Sequence, residues 1–182
     1  DAFYKDKSLK VVVLPDNITE MEEGVFALCE NLESVRMPKG LVKAPKDFCN
    51  QCSMLKNVEM HPDVMEIGER AFYRCTSLKS IDLPYGMEKI GEEAFSYCGL
   101  LKEIHLSDSL TTLGSLAFFD TALESVMISK KMKTISNSAF RRTKLKRVVI
   151  PSNIKTIGEY AFAKCYSLEK IIVPSSVATV KW

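Results

Sequence analysis

The sequence predicts a solenoid in which one short coil is stacked on copies of itself. Three observations lead to this prediction. The segment 69–84, ERAFYRCTSLKSIDLP, returns 23 residues later as EEAFSYCGLLKEIHLS and again at 159–174 as EYAFAKCYSLEKIIVP. The apolar residues keep their positions in every copy, and each copy ends in an apolar–polar alternation with the period of two typical of a β-strand. Self-similarity at a fixed period of this length indicates a repeat architecture.

The proline that closes each segment marks the boundaries of the repeats. The marker positions, spaced by 22 or 23 residues, are Pro15, Pro38, His61, Pro84, Ser107, Ser129, Pro151 and Pro174. The two 22-residue repeats each lack one residue between the Phe and the following Leu. We therefore predict one solenoid domain over residues 1–182. Its parts are a partial repeat 1–15, the repeats 16–38, 39–61, 62–84, 85–107, 108–129, 130–151 and 152–174, and a partial repeat 175–182.

The alternating run at the end of each repeat predicts a strand that a following proline would terminate. The predicted strands are 11–14, 34–37, 57–60, 80–83, 103–106, 125–128, 147–150 and 170–173. The Ala-Phe-x-x-Cys segment is too short for an independent helix and predicts a single helical or 3₁₀ turn. Equivalent strands of stacked coils would form a parallel sheet with a spacing of about 4.8 Å. One coil cannot bury its apolar face alone, so the coils stabilise one another.

The full pattern is Pro-x-x-[Ile/Val]-x-x-Ile-Gly-x-x-Ala-Phe-x-x-Cys-x-x-Leu-x-x-Ile-x-Leu, and residues 63–84 match it throughout. This pattern resembles the BspA-type leucine-rich repeat. The resemblance implies a right-handed leucine-rich-repeat solenoid with a parallel β-sheet on its concave side and turns on its convex side. It also implies an extracellular or cell-surface adhesion protein of bacteria or protists that binds a host or partner protein. No catalytic residue and no cofactor come with the family.

The overall charge constrains the class of partner. The net charge is +2, from 25 basic and 23 acidic residues, whereas a nucleic-acid-binding domain carries a basic excess. No run of 18 apolar residues is present, so membrane insertion is not expected. The expected partner is a protein or another extracellular macromolecule, and not a nucleic acid. Neither end of the sequence shows a polar cap, so end-to-end self-association is a further expectation.

Five of the six cysteines share one repeat position, which predicts a column of small buried thiols. The segment Cys49-Asn50-Gln51-Cys52 also forms a C-x-x-C pair, which suggests a redox site or half of a zinc site. The repeat offers another explanation, because Cys49 occupies the position of the Phe. No second pair completes a four-ligand metal site. A local disulfide between the two residues remains open if the compartment is oxidising.

No other residue group suggests catalysis. His61 replaces a marker proline and His105 faces outward on a predicted strand, and neither accompanies a nucleophile or a carboxylate pair. Four glycines share one position, which predicts a tight corner in each coil rather than a phosphate-binding loop. We therefore expect no catalytic residue, no metal site, no cofactor and no enzymatic activity.

The outward positions of the predicted strands form two columns along the concave face. One column is Val13, Arg36, Glu59, Asp82, His105, Met127, Val149 and Ile172. Its last three members predict an exposed apolar stripe beside Arg147 and Lys170, with His105 at its N-terminal side. Exposed apolar patches with polar rims mark interaction sites, although β-branched residues also simply suit adjacent strands.

These observations favour a non-catalytic binding module that uses the concave face. Two alternatives stay open. One is a passive spacer within a larger surface protein. The other is a thiol oxidoreductase that uses Cys49 and Cys52.

Overall fold

The computed structural model describes residues 2–181, and its regular structure consists of short β-strands and turns, with no helix in that range. Every strand pair is parallel. The strands are β1 Val11–Val13, β2 Ser34–Arg36, β3 Lys43–Ala44, β4 Asn57–Glu59, β5 Glu66–Ile67, β6 Lys89–Ile90, β7 Thr112–Leu113, β8 Thr134–Ile135, β9 Arg147–Val149, β10 Thr156–Ile157, β11 Lys170–Ile172 and β12 Thr179–Val180.

The three-residue strands form the predicted sheet at both ends of the chain. β1, β2 and β4 pair in sequence, and β9 pairs with β11. The register places Arg36 between Val13 and Glu59, and Val149 beside Ile172, as the repeat alignment predicts. We call the exposed side of these strands the concave face. The chain is therefore a leucine-rich-repeat solenoid in which equivalent residues of successive coils lie side by side.

The middle of this sheet differs from the prediction. The segments 80–83, 103–106 and 125–128 form no regular strands, and among the described residues they contribute only one isolated bridge, between Ser80 and Glu103. Their inward side chains Ile81, Ile104 and Ile128 are nevertheless buried. On this face, side-chain packing replaces a continuous hydrogen-bond ladder between these three coils.

A second set of strands was not predicted from the sequence. The two-residue strands β3, β5, β6 and β7 form one parallel sheet, and β8, β10 and β12 form another. Each strand directs one side chain inward, as Ile67 and Ile90 do, and one outward. An alternation of only two residues gives no period in the sequence, so the segment resembles a simple corner.

The Ala-Phe-x-x-Cys segment is not a helical or 3₁₀ turn, and that prediction is wrong. Tight turns alternate there with residues of positive φ, such as Glu93 at 53° and Tyr97 at 62°. The N–H groups of Glu93, Phe95 and Tyr97 donate to carbonyls of the next coil at 2.9, 2.9 and 2.8 Å. A helical turn would direct these groups along its own axis, whereas here they bond between coils and leave few buried donors unpaired. We call this side of the coil the turn face.

Columns of identical side chains fill the interior. Phenylalanine rings from successive coils stack with centroid separations of 5.4–6.2 Å. The column consists of Phe26, Phe48, Phe72, Phe95, Phe118, Phe140 and Phe162. A leucine from each inner coil lies fully buried within the same core, as Leu78 and Leu101 do. Each buried ring or leucine contributes roughly 1.5–3 kcal/mol relative to exposure, so the core grows with every coil added.

The repeated glycine is required by close approach rather than by its backbone angle. Gly91 does not have a positive φ, but a Cβ atom there would lie 2.6 Å from the backbone nitrogen of Glu69 in the preceding coil. The backbones of adjacent coils touch at this corner, and a side chain would separate them. The predicted corner is confirmed, with a steric cause.

Candidate functional site

The cysteine column contains hydrogen-bonded thiols within the core. All six cysteines are free and buried. The Sγ atom of Cys98 donates to the carbonyl of Phe72 in the preceding coil at 3.1 Å, and Cys52 donates to Phe26 at 3.0 Å. Cys165 donates in the same way to Phe140 at 3.0 Å. Each of these carbonyls also accepts a backbone N–H, as Phe72 does from Cys75, so the thiols add a second hydrogen bond that connects adjacent coils.

Burial also makes several of these thiols weakly acidic. It raises the pKa of Cys49 and Cys75 well above the usual value for a thiol, and that of Cys98 to about 12. The thiolate is the reactive form of cysteine, and a redox-active cysteine needs a lowered pKa and access to solvent. The geometry argues against the thiol oxidoreductase interpretation.

The C-x-x-C pair arises from an exchange of two neighbouring side chains. The N–H of Cys49 donates to Ala71 as the N–H of Phe72 donates to Ala94, so Cys49 occupies the usual position of the Phe. Phe48 occupies the position of the Ala, and its ring still enters the aromatic column. The sequence interpretation of Cys49 as a core residue agrees with this register.

The two histidines do not assemble a catalytic or metal site. His61 Nδ1 lies 3.2 Å from a carboxylate oxygen of Asp63 and accepts a hydrogen bond from the Asp63 N–H. His105 is exposed on the concave side. Within residues 2–181, no three His, Cys, Asp or Glu side chains are grouped so as to hold a metal ion.

The N-terminal end of the concave face carries paired charges. Arg36 contacts the Asp16 carboxylate at 3.1 Å and the Glu59 carboxylate at 3.4 Å, and these three residues come from successive coils. Lys39 adds a second contact to Asp16 at 3.2 Å. Arg36 and Lys39 therefore both have acidic partners, so neither presents unmatched positive charge to a ligand.

The C-terminal end has the opposite character. Met127, Val149 and Ile172 are 75%, 61% and 45% exposed, and the last two lie on the paired strands β9 and β11. Arg147 and Lys170 are neighbours across β9 and β11, are exposed, and form no ion pair with any residue of the described range. We call these five residues the C-terminal patch. An apolar stripe beside two free cations is suited to a partner with both apolar and acidic groups.

A second surface feature, on the turn face, was missed in the sequence. Tyr97 packs edge-on against Tyr73 and Phe119 at 5.5 and 5.1 Å between ring centroids. Arg74 lies over the Tyr97 ring at 5.1 Å, and Arg141 lies over the Phe119 ring at 5.7 Å. The rings and guanidinium groups of this row contact one another, so the row stabilises the stack through cation–π and aromatic contacts. An alignment of the two positions that directly follow the repeated Phe would have revealed this row of aromatic and arginine side chains.

Known proteins agree with this architecture. Residues 1–81 and 65–181 match the family model of the BspA type leucine-rich repeat region, with six copies. The chain belongs to this family. No curated protein sequence matches it.

Several proteins of known structure superpose on the chain. It is 31% identical to a leucine-rich repeat protein from Bacteroides ovatus, with a TM-score of 0.86 over 94% of this chain and 47% of that one. It is 26% identical to a leucine-rich repeat protein of T. pallidum, with a TM-score of 0.75 over 94% and 73% of the two chains. The pneumococcal vaccine antigen PcpA is 20% identical, with a TM-score of 0.52 over 93% and 62%, and shares the fold. The chain spans about half the length of the Bacteroides protein.

Proposed function

We propose that this chain is a non-catalytic binding module of a secreted or cell-surface protein, and that it binds a partner macromolecule through the C-terminal patch. The exposure of Met127, Val149 and Ile172 on one face of successive coils, with Val149 and Ile172 on the paired strands β9 and β11, is the observation that carries the proposal. A soluble domain gains by covering such side chains, and a partner surface can do so without any rearrangement of the scaffold. His105 borders the patch on the preceding coil.

Family membership supports the first part of the proposal, a binding module of a secreted or cell-surface protein. BspA-type repeats are associated with protein binding at the cell exterior, and the fold offers an extended face with no catalytic group. The free thiols are compatible with an oxidising environment, because their burial shields them from oxidants. Detection of the protein by antibody on intact source cells, against a cytosolic marker, tests the location. Detection only after lysis would contradict it.

The binding experiment compares the wild type with the triple variant Met127→Glu, Val149→Lys and Ile172→Glu on a panel of extracellular-matrix and cell-surface proteins. A matched control is Val13→Glu, which charges an equally exposed apolar residue at the other end of the same face. We expect the triple variant to lose binding while the control retains it, with both folded by circular dichroism. Equal binding by all three proteins would place the site elsewhere. Absence of binding by any of them would favour a spacer.

A further inference from the structure

The near-neutral net charge conceals a division along the chain. Residues 1–107 contain 13 basic and 18 acidic residues, whereas residues 130–170 contain 11 basic and 2 acidic residues. The coil register makes this a division in space, because successive coils follow one another along the solenoid. One end of the molecule is therefore acidic and the other is strongly basic.

Few of the basic charges are neutralised within the chain. Among the described residues, the ion pairs made by residues 130–170 are Arg142 with Asp120 and Lys146 with Glu124. The acidic half, in contrast, pairs its lysines and arginines repeatedly, as Glu66 does with both Lys43 and Lys89 at 3.0 Å. The basic half thus presents unmatched positive charge over a surface wider than a Debye length of about 8 Å.

Arg147, Val149 and Lys170 of the C-terminal patch lie within this basic half, Met127 and Ile172 lie at its two edges, and the patch combines charge with apolar area. Arg147 and Lys170 are register partners, and Val149 and Ile172 are register partners two residues further along the same strands. The cationic pair and the apolar pair therefore lie roughly 7 Å apart along the strands. This fixed spacing can match side chains of both kinds on a single partner segment.

We propose that the occupant of the C-terminal patch is an acidic protein segment that carries apolar side chains. Its carboxylates pair with Arg147 and Lys170, and its apolar side chains cover Met127, Val149 and Ile172. This inference rests on the proposed function and names the chemistry of its partner. Single-stranded nucleic acids bind largely through bases stacked on aromatic side chains, and the two exposed columns of the described strands contain none. A sulfated polysaccharide would leave the apolar column uncovered.

The experiment measures binding to an immobilised random copolymer of glutamate and tyrosine. Polyglutamate, a copolymer of lysine and tyrosine, a heparin-like polysaccharide and duplex DNA serve as comparison probes. Two double variants have the same change in net charge: Arg147→Glu with Lys170→Glu in the patch, and Lys133→Glu with Lys155→Glu outside it on adjacent exposed positions. The milder pair Arg147→Gln with Lys170→Gln guards against misfolding of the reversed variant.

We expect the glutamate–tyrosine copolymer to bind at least tenfold more tightly than polyglutamate, with affinity that falls as salt rises. The patch variant should lose at least tenfold in affinity, and the Lys133 and Lys155 variant less than threefold. Equal losses would overturn the proposal, since they would show general attraction. Tighter binding of the polysaccharide or of DNA would also overturn it.

Failure of this inference can be told apart from failure of the proposed function. In one outcome, the copolymer does not bind, but a panel protein binds the wild type and not the triple apolar variant. The proposal of an acidic partner is then wrong, and the proposed binding site on the concave face stands. In the other outcome, the copolymer binds the wild type and the Val149→Ser variant with the same affinity. The apolar part of the patch is then not used, and both proposals fail.

Discussion

The exchange of Phe48 and Cys49 leads to a sharp test of the stacked-column description. In the coils that follow, an Ala precedes the Phe, whereas here a Phe precedes a Cys, and both side chains are fully buried. The ring of Phe48 meets its neighbours at 77° and 90°, whereas the other ring pairs of the column lie within 19° of parallel. The ring therefore enters the same column from the adjacent backbone position. The core of each coil needs one ring, and either of the two adjacent sequence positions can supply it.

The single substitutions should each be costly. Phe48→Ala removes the only ring of its coil and should lower the free energy of unfolding by about 3–5 kcal/mol, as for other buried aromatic truncations. Cys49→Phe adds a second ring where one is already packed and should cost about 1–3 kcal/mol through overpacking. If the two positions were independent, the double variant would lose about 4–8 kcal/mol.

The double variant Phe48→Ala, Cys49→Phe restores the Ala-Phe order and should lie within about 1.5 kcal/mol of the wild type, since total core volume is kept. Urea unfolding followed by far-ultraviolet circular dichroism measures all four proteins, and equal slopes confirm that the same surface unfolds. Cys49→Ala controls for loss of the thiol. Additive losses in the double variant would refute the reasoning, because they would show that the column does not accept a ring from either position.

Two further predictions test the corner and the thiol column. Gly91→Ala should lower the free energy of unfolding by about 1–3 kcal/mol, because its Cβ would meet the Glu69 backbone. The control Gly99→Ala, whose Cβ would have no atom within 4 Å, should be neutral or slightly stabilising. Equal effects of the two substitutions in thermal unfolding would contradict the close approach. Burial raises the pKa of Cys98 from 9.0 to about 12, so both states keep the proton below pH 9 and only the unfolded chain loses it above. Stability should therefore decline from pH 9 to 12, and Cys98→Ala should make that decline shallower; an unchanged slope by urea titration would contradict this contribution.

The repeat made most of the fold predictable. The three-residue strands, their parallel register and the buried columns all follow from a period that places equivalent residues in equivalent environments. The turn face was not predictable in the same way. A short apolar run such as Ala94 and Phe95 suits a helical turn equally well, and only the hydrogen bonds to the next coil distinguish the two structures.

The surface was harder to predict than the core. The apolar column at Met127 could be found from the strand period, but the absence of partners for Arg147 depends on which side chains reach it in space. The charge division was visible in the sequence and hidden by the total of +2. The net charge of a solenoid adds up surfaces that lie far apart, whereas a partner is attracted by the charges of the coils that it contacts.

The two shortened repeats show how the stack accommodates change in one coil without loss of the next. Both have Thr at the cysteine position, and the hydroxyls of Thr121 and Thr143 donate to the carbonyls of Phe118 and Phe140 in their own coils, at 3.1 and 2.8 Å. The cysteines instead donate to the preceding coil. The hydroxyl of Thr143 also lies 3.2 Å from the Cys165 sulfur, so the following coil remains connected. In these repeats a hydrogen bond within the coil replaces one between coils, so the effect of the missing residue is confined to its own coil. The strands β9 and β11 therefore keep the regular register on which the C-terminal patch depends.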